Sequence, residues 1–371
     1  MIYLVPTILI LLSGIIFNVN KKDAKCKKIY LIVSFGIMII ISSLRKYTVG
    51  IDMKLIYYPS FLEISKISFA NLGNVQLEQL YVLLCKILSI LYNNIQILII
   101  VSSVFVLTVY AFFIYKNSKN IVISTSLFLL LNIFFMTMNI VRQEIAVAII
   151  LIAFEYIKRG KNITATIIII IASFFHQSAI ICLLFMPLYK AKFTKKSVMY
   201  GIVILIIGLL CYKPIINGIT YIMNLLGLNA NKNYSEYLSS KTYGTGIFNL
   251  DTLSNYIVSG AIFMVCYYYI IYLCPKHKNE DFSNFLTYMS MVYFIISLIS
   301  SKMIIIARLE YYFLPFILIS IPEALSYSKK SQNRTSIITI LYLALFSKYL
   351  YILFNLADIL YGVVPYTFFW N

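Results

Sequence analysis

Arg142, Gln143 and Glu144 follow an apolar run that begins at Ile121, and His176 with Gln177 interrupts another between Ile163 and Leu188. An ionisable side chain in hydrocarbon costs roughly 2.5–3.5 kcal/mol on insertion scales, so such groups line a polar cavity or sit at its rim. Arg45 and Arg308 also adjoin or enter apolar runs. Guanidinium stays charged when partly desolvated and grips phosphate oxygens through paired hydrogen bonds, so three arginines and a histidine suit a polyanionic ligand such as a lipid-linked diphosphate. The alternative for each arginine is a nearby acid: Arg142 with Glu144 or Glu155, Arg308 with Glu310, Arg45 with Asp52. His176 is either a base or phosphate ligand, or a structural hydrogen-bonding residue. His277 stands among solvated charges.

Composition sets what must position these groups. Of 371 residues, 61% are hydrophobic and 12% charged, and the mean hydropathy is +0.88. That leaves too little polar surface for a soluble domain. Apolar runs recur from end to end without barrel-like alternation, so the expected fold is all-α: a polytopic integral membrane protein of about 11–12 transmembrane or half-spanning helices. One transmembrane domain is expected over residues 1–371, with long outer-face loops at 45–78 and 213–251. The 31 Lys and Arg against 13 Asp and Glu fall in short clusters between apolar runs, a signature of topology rather than of nucleic-acid binding. Cys26, Cys85, Cys182, Cys211, Cys266 and Cys274 have no CxxC or CxxH spacing. No metal and no cofactor is expected, arginine supplying the countercharge. Abundant Ile, Lys, Asn and Tyr with little Ala points to an AT-rich bacterial genome.

Orientation follows from the lysines. The first run, Ile2 to Val19, lacks a basic leader and a small-residue cleavage site, so a retained helix is expected rather than a signal peptide. KKDAKCKK, residues 21–28, holds five lysines in eight positions and belongs in the cytoplasm, which places the N-terminus outside. Ile29–Leu44 then crosses outward to the loop 45–78, and Leu80–Tyr92, too short to span, is expected along the outer surface. Ile95–Tyr115 crosses in, Ile121–Ile140 out, and Glu144–Ile157 in again to the basic segment 158–161. The stretch from Asn162 to Tyr189 is either two short helices meeting at His176, which the following lysines favour, or one long tilted helix. Further crossings run over Val198–Tyr212, Thr252–Leu273, Phe282–Ser301, Met303–Leu325 and Ser336–Leu356. On this topology Arg45, Arg142, Arg308 and His176 share the outer side with both long loops. Loop tyrosines (Tyr47, Tyr57, Tyr58, Tyr234, Tyr237, Tyr243) either belong to an interfacial belt or stack on sugar rings.

The runs RKYTVGIDMKLIYYPSF (45–61), NIVRQEIAVAI (139–149), SFFHQSAI (173–180), ARLEYYFLP (307–315) and VVPY (363–366) occur in this order over nearly the whole chain. The chain thereby resembles the EpsG/Wzy-type family of bacterial polysaccharide polymerases, and Glu78 ahead of Tyr81 fits the family's acidic position. The resemblance implies a glycosyltransferase of the cytoplasmic membrane that joins undecaprenyl-diphosphate-linked oligosaccharide units at the outer face. It implies Arg45, Arg142 and Arg308 as diphosphate ligands, His176, Arg142 and Asp52 as catalytic residues, and Gln143, Glu78 and Tyr311 as secondary candidates. The implied partners are the lipid-linked oligosaccharides, the bilayer, a chain-length regulator and a flippase. A lipid-linked oligosaccharide flippase or a membrane O-acyltransferase is the alternative, although no internal repeat of the transporter kind is found. Arg142 and Arg308 are expected not to tolerate lysine, with Arg45 the more tolerant.

Overall fold

The computed structural model describes residues 1–214, 217–218, 250–268, 280–300, 304–327 and 331–371. Most of the expected loop 213–251, with Tyr234, Tyr237 and Tyr243, lies outside the described residues, as do His277 and Cys274. Among the described residues helix is the regular structure, and the sole extended pairing is an isolated bridge between Arg45 and Phe368. The chain is an all-α polytopic membrane protein. By length and composition, five described helices can cross a bilayer, Ala24–Ser43, Gln96–Asn117, Glu280–Ser300, Ile306–Ser326 and Thr335–Tyr361, or six if one bent pair counts as a span. Twenty residues at 1.5 Å each cover about 30 Å, the thickness of the hydrocarbon.

The described chain packs as two compact units, one of residues 1–186 with 328–371 and one of 187–327. The first begins with α1 (Leu4–Ile16) and α2 (Ala24–Ser43), whose start is capped by Asp23 accepting a hydrogen bond from Cys26 N at 2.9 Å. The stretch expected as an outer loop carries helical structure of its own: a π-type turn at Met53–Tyr57, α3 (Tyr58–Lys66) and a 3₁₀ turn at Phe69–Asn74. Next comes α4 (Gln79–Leu91), whose 13 residues cover only about 20 Å. It buries Tyr81, Val82, Cys85 and Leu88, the three-to-four-residue spacing of one helical face. After α5 (Gln96–Asn117), the run read as a single crossing from Ile121 to Ile140 is two helices, α6 (Ile121–Leu130) and α7 (Ile133–Asn139), bent by 55°. Asn132 makes the break in left-handed backbone, φ 60°, a conformation that asparagine tolerates better than other non-glycine residues.

A second break separates α7 from α8 (Val141–Ile157), which leads to α9 (Asn162–Ser173). The helical run stops at Phe174–His176, with His176 extended at φ −156°, and resumes as a 3₁₀ segment, Gln177–Leu184, followed by α10 (Phe185–Lys190). Thr166 Oγ1 lies 3.7 Å from Met186 Sδ, ten residues either side of His176, so the two arms fold back on each other as a hairpin. Of the two arrangements open for 162–189, the pair of short helices meeting at His176 is the one found.

The second unit holds α11 (Lys195–Leu210), α12 (Leu250–Cys266), α13 (Glu280–Ser300) and α14 (Ile304–Ser326) around Phe193, Phe263, Met291, Ile295 and Ile299. A capping box between Thr194 and Ser197 starts α11. Pro315 and Pro322 lie inside α14, where neighbouring helices offset the lost backbone hydrogen bonds. After these, α15 (Ser331–Tyr351) and α16 (Ala357–Tyr361) return to the first unit, where Phe135 stacks on Tyr349 with centroids 5.8 Å apart.

Candidate functional site

Arg142 is the second residue of α8, just past the corner where α7 ends. Its guanidinium lies 5.5 Å from the ring centroid of Tyr57 and 5.7 Å from that of Tyr81, and forms an ion pair with Glu78. The rings are buried, while the Arg142 and Glu78 side chains keep 14% and 13% exposure, enough for the pair to meet a ligand. Cation–π attraction is strongest where water is largely excluded, so the two tyrosines hold the guanidinium as well as wall it. The neighbouring acids do not serve Arg142: Glu144 accepts from Tyr110 Oη at 3.1 Å, and Glu155 pairs with Lys116 at 3.1 Å and Lys158 at 3.6 Å. Residues two apart on a helix do not face each other, which removes Glu144 from reach. Gln143, 1% exposed, is packed into the interior side of α8.

The corner that presents Arg142 is tied down by the segment 45–57. Asp52 N donates to Asn139 Oδ1 at 2.9 Å, and Arg45 Nη2 donates to Met138 O at 3.3 Å. Gly50 has φ +110°, and a Cβ there would stand 2.7 Å from Met138 O, so only glycine permits this approach. The C-terminal segment braces the same region. Gly50 N donates to Gly362 O at 2.8 Å, Lys46 N to Thr367 O at 2.9 Å, and Tyr366 Oη to Ile41 O at 2.8 Å.

The hairpin turn of His176 reaches this site through the backbone. Leu80 N donates to Phe174 O at 3.2 Å, a link two residues from Glu78 on one side and two from His176 on the other. His176 Nδ1 and Ser178 Oγ are 2.7 Å apart, a hydrogen bond that orients the ring and is compatible with either tautomer. The structure therefore gathers Asp52, Glu78, Arg142 and the His176 turn in one region of the first unit. Arg308, with Glu310 and Tyr311, lies partly buried on α14 of the second unit.

Arg45 is a correction. It is 0% exposed, its Nη1 donating to Ser42 O, Ser42 Oγ and Ser103 Oγ and its Nη2 to Met138 O, with no carboxylate partner and no face for a ligand. Burial pulls its guanidinium down to about 10, so it still carries its charge at neutral pH. A lysine ammonium could serve at most the three acceptors that converge on Nη1 and would leave Met138 O without its bond. The sequence left Tyr57 to an interfacial belt or to sugar stacking, and in the structure it packs against Arg142; Tyr47 and Tyr58 stack on each other with centroids 3.9 Å apart. Asn139 and Ser178 went unnoticed as holders of the site, although both stand inside the quoted motifs. Among the described residues, no three of His, Cys, Asp and Glu come together as a metal site.

Bilayer-length helices, broken where polar residues enter apolar runs, define a polytopic membrane protein, with the Arg142 guanidinium set beside two buried tyrosine rings. The EpsG family model matches residues 28–368, and the chain belongs to the EpsG family. No curated protein and no solved structure gives a significant match. Family membership connects the chain with polysaccharide biosynthesis.

Proposed function

We propose that the protein is a polysaccharide polymerase, a membrane glycosyltransferase that joins oligosaccharide repeat units carried on undecaprenyl diphosphate at the outer face of the bacterial cytoplasmic membrane. Family membership supports the class, and the observation that carries the chemistry is the Arg142 guanidinium, part-exposed against Tyr57 and Tyr81 and paired with Glu78. In the transfer step the acceptor hydroxyl gives its proton to His176 as its oxygen forms the new glycosidic bond. The bond between the donor's anomeric carbon and the carrier diphosphate breaks, and the diphosphate leaves with the electron pair. Arg142 stabilises the charge that builds on it, trading its carboxylate partner for phosphate oxygens. A proton on Nδ1, donated toward Ser178 Oγ, leaves the Nε2 lone pair free to act as base. Asp52 holds the α7–α8 corner through its backbone, and Arg45 positions the same corner from beneath. Arg308 stays a diphosphate ligand on the grounds of its motif.

The deciding measurement is the repeat-unit ladder of a deletion strain. A polymerase deletion keeps single units on the carrier, a flippase deletion exports nothing, and an acyltransferase deletion keeps chain length. Single units that persist, with full-length chains restored by the wild-type gene but not by His176→Ala, are the expected result.

A further inference from the structure

Helix α2 has an apolar groove on each of two faces, and both grooves open at the same lysine-rich end. The larger, about 770 Å³, runs between α1 and α2 along Ile10, Phe17, Ile29, Val33 and Ile37, with Lys22 at its mouth. The smaller, about 380 Å³, runs between α2 and α5 from Lys28 to Ile39. On α2 the larger groove extends from Cys26 to Ile37, which at 1.5 Å per residue is about 16 Å, half of a hydrocarbon core about 30 Å thick. A further apolar cavity of about 510 Å³, lined by Ile37, Ile40 and Ile41 with the start of α1, continues the same cleft. The polar groups along it are already engaged within the protein, Ser13 Oγ and Tyr30 Oη both donating to Ile10 O at 3.0 and 3.2 Å, so the walls offer a ligand contact without competing hydrogen bonds. Lys22 lines the mouth of this groove; Lys25 is exposed one turn along, Lys28 lines the smaller groove, and Asp23 caps α2 through Cys26 N. Asp23 offsets part of the charge at Lys22, and Lys25, Lys27 and Lys28 leave this end of α2 net positive.

We propose that the α1–α2 groove is a binding site for an anionic phospholipid, with an acyl chain along the groove and the phosphate at Lys22 and Lys25. A long apolar cleft with net positive charge at one end selects this occupant. A neutral lipid would leave the lysines unpaired, and a soluble anion would leave the groove unfilled. The site lies at the opposite end of α2 from the Leu44–Arg45 junction and is independent of the polymerase reading. Bound lipid would clamp α1, whose 13 residues are too short to span on their own, against α2.

The full chain, purified in a mild detergent, is incubated with phosphatidylglycerol or phosphatidylcholine of identical chains, and retained lipid is counted by native mass spectrometry. Phosphatidylglycerol should be retained about fivefold or more over phosphatidylcholine, whose choline cation cancels the phosphate charge that even one lysine would attract. Lys22→Gln with Lys25→Gln should abolish that preference, and Val33→Trp, which fills the groove, should lower retention of phosphatidylglycerol. Ile32→Trp, on the wall of the smaller groove, should leave it unchanged, and glycerol phosphate should not displace the lipid. Matching thermal unfolding of each variant to the parent guards against misfolding. Equal retention of the two lipids, a preference that survives the double lysine variant, loss with Ile32→Trp instead of Val33→Trp, or displacement by glycerol phosphate overturns the site.

Discussion

At the scale of single residues the structure turns on what Glu78 does for Arg142. A purely structural ion pair works equally well with the charges exchanged, whereas a diphosphate ligand needs the guanidinium at position 142. Arg142→Glu with Glu78→Arg should therefore recover membrane yield relative to either single variant, while polymer remains absent. Recovery of polymer by the exchange would reduce Arg142 to a structural residue. Arg142→Lys keeps the charge but loses the planar fork, and removing one such preorganised donor typically costs about 100-fold or more in rate. Polymer yield for Arg142→Lys should thus fall close to that of Arg142→Ala at matched expression, and a lysine variant that polymerises like the parent would refute the clamp. Arg45 belongs to the opposite category. Arg45→Lys and Arg45→Ala leave buried acceptors unpaired, at about 1–3 kcal/mol for each, so protein yield and thermal stability should drop before any effect specific to catalysis appears.

Elements decide whether these side chains can meet. The hairpin about His176 places positions 166 and 186 together, whereas a continuous helix would separate twenty residues by about 30 Å. In a background free of other cysteines, Thr166→Cys with Met186→Cys should form a disulfide on mild oxidation, read as a mobility shift reversed by reductant; failure to cross-link would support the single long helix. The α7–α8 corner depends on Gly50 in the same way. Gly50→Ala sets a Cβ against Met138 O in backbone that L-residues rarely adopt, a strain of about 1–3 kcal/mol. Lower thermal stability and shorter polymer are expected together, because the displaced corner carries Arg142. Unchanged values for both would show that the corner does not need this close approach.

For the whole molecule, the open matter is which side of the bilayer carries the site. Segments 45–78 and 213–251 are proposed to lie outside and the lysines of 21–28 inside. Ser68→Cys and Asn231→Cys should react with a membrane-impermeant maleimide in intact cells, and Lys25→Cys only after permeabilisation. The reverse pattern would put the site in the cytoplasm and rule out polymerisation at the outer face. Both packed units are tied by hydrogen bonds between distant segments, such as Tyr3 Oη to Val363 O at 2.9 Å in the first and Ser259 Oγ with Ser297 Oγ at 2.7 Å in the second.

The amino-acid sequence by itself determined the class and marked His176 as the place where the run 162–189 could break, leaving a single long helix open until the structure decided it. Hydropathy summed over twenty residues is insensitive to packing, and a His-Gln-Ser trio inside an apolar run leaves groups that lipid cannot satisfy. The order of the motifs was equally legible, and with it the family. The 55° bend at Asn132 was not, because one asparagine between leucine and isoleucine barely lowers the hydropathy of the run. Only the tertiary structure decided that Arg142 pairs with Glu78, 64 residues earlier, instead of with Glu144 two residues later. It also separated two arginines that look alike in sequence: Arg45 lies sealed among Ser42, Ser103 and Met138, and Arg142 keeps part of its face open. Burial is a property of the segments that happen to converge on a side chain, and those segments are far apart along the chain.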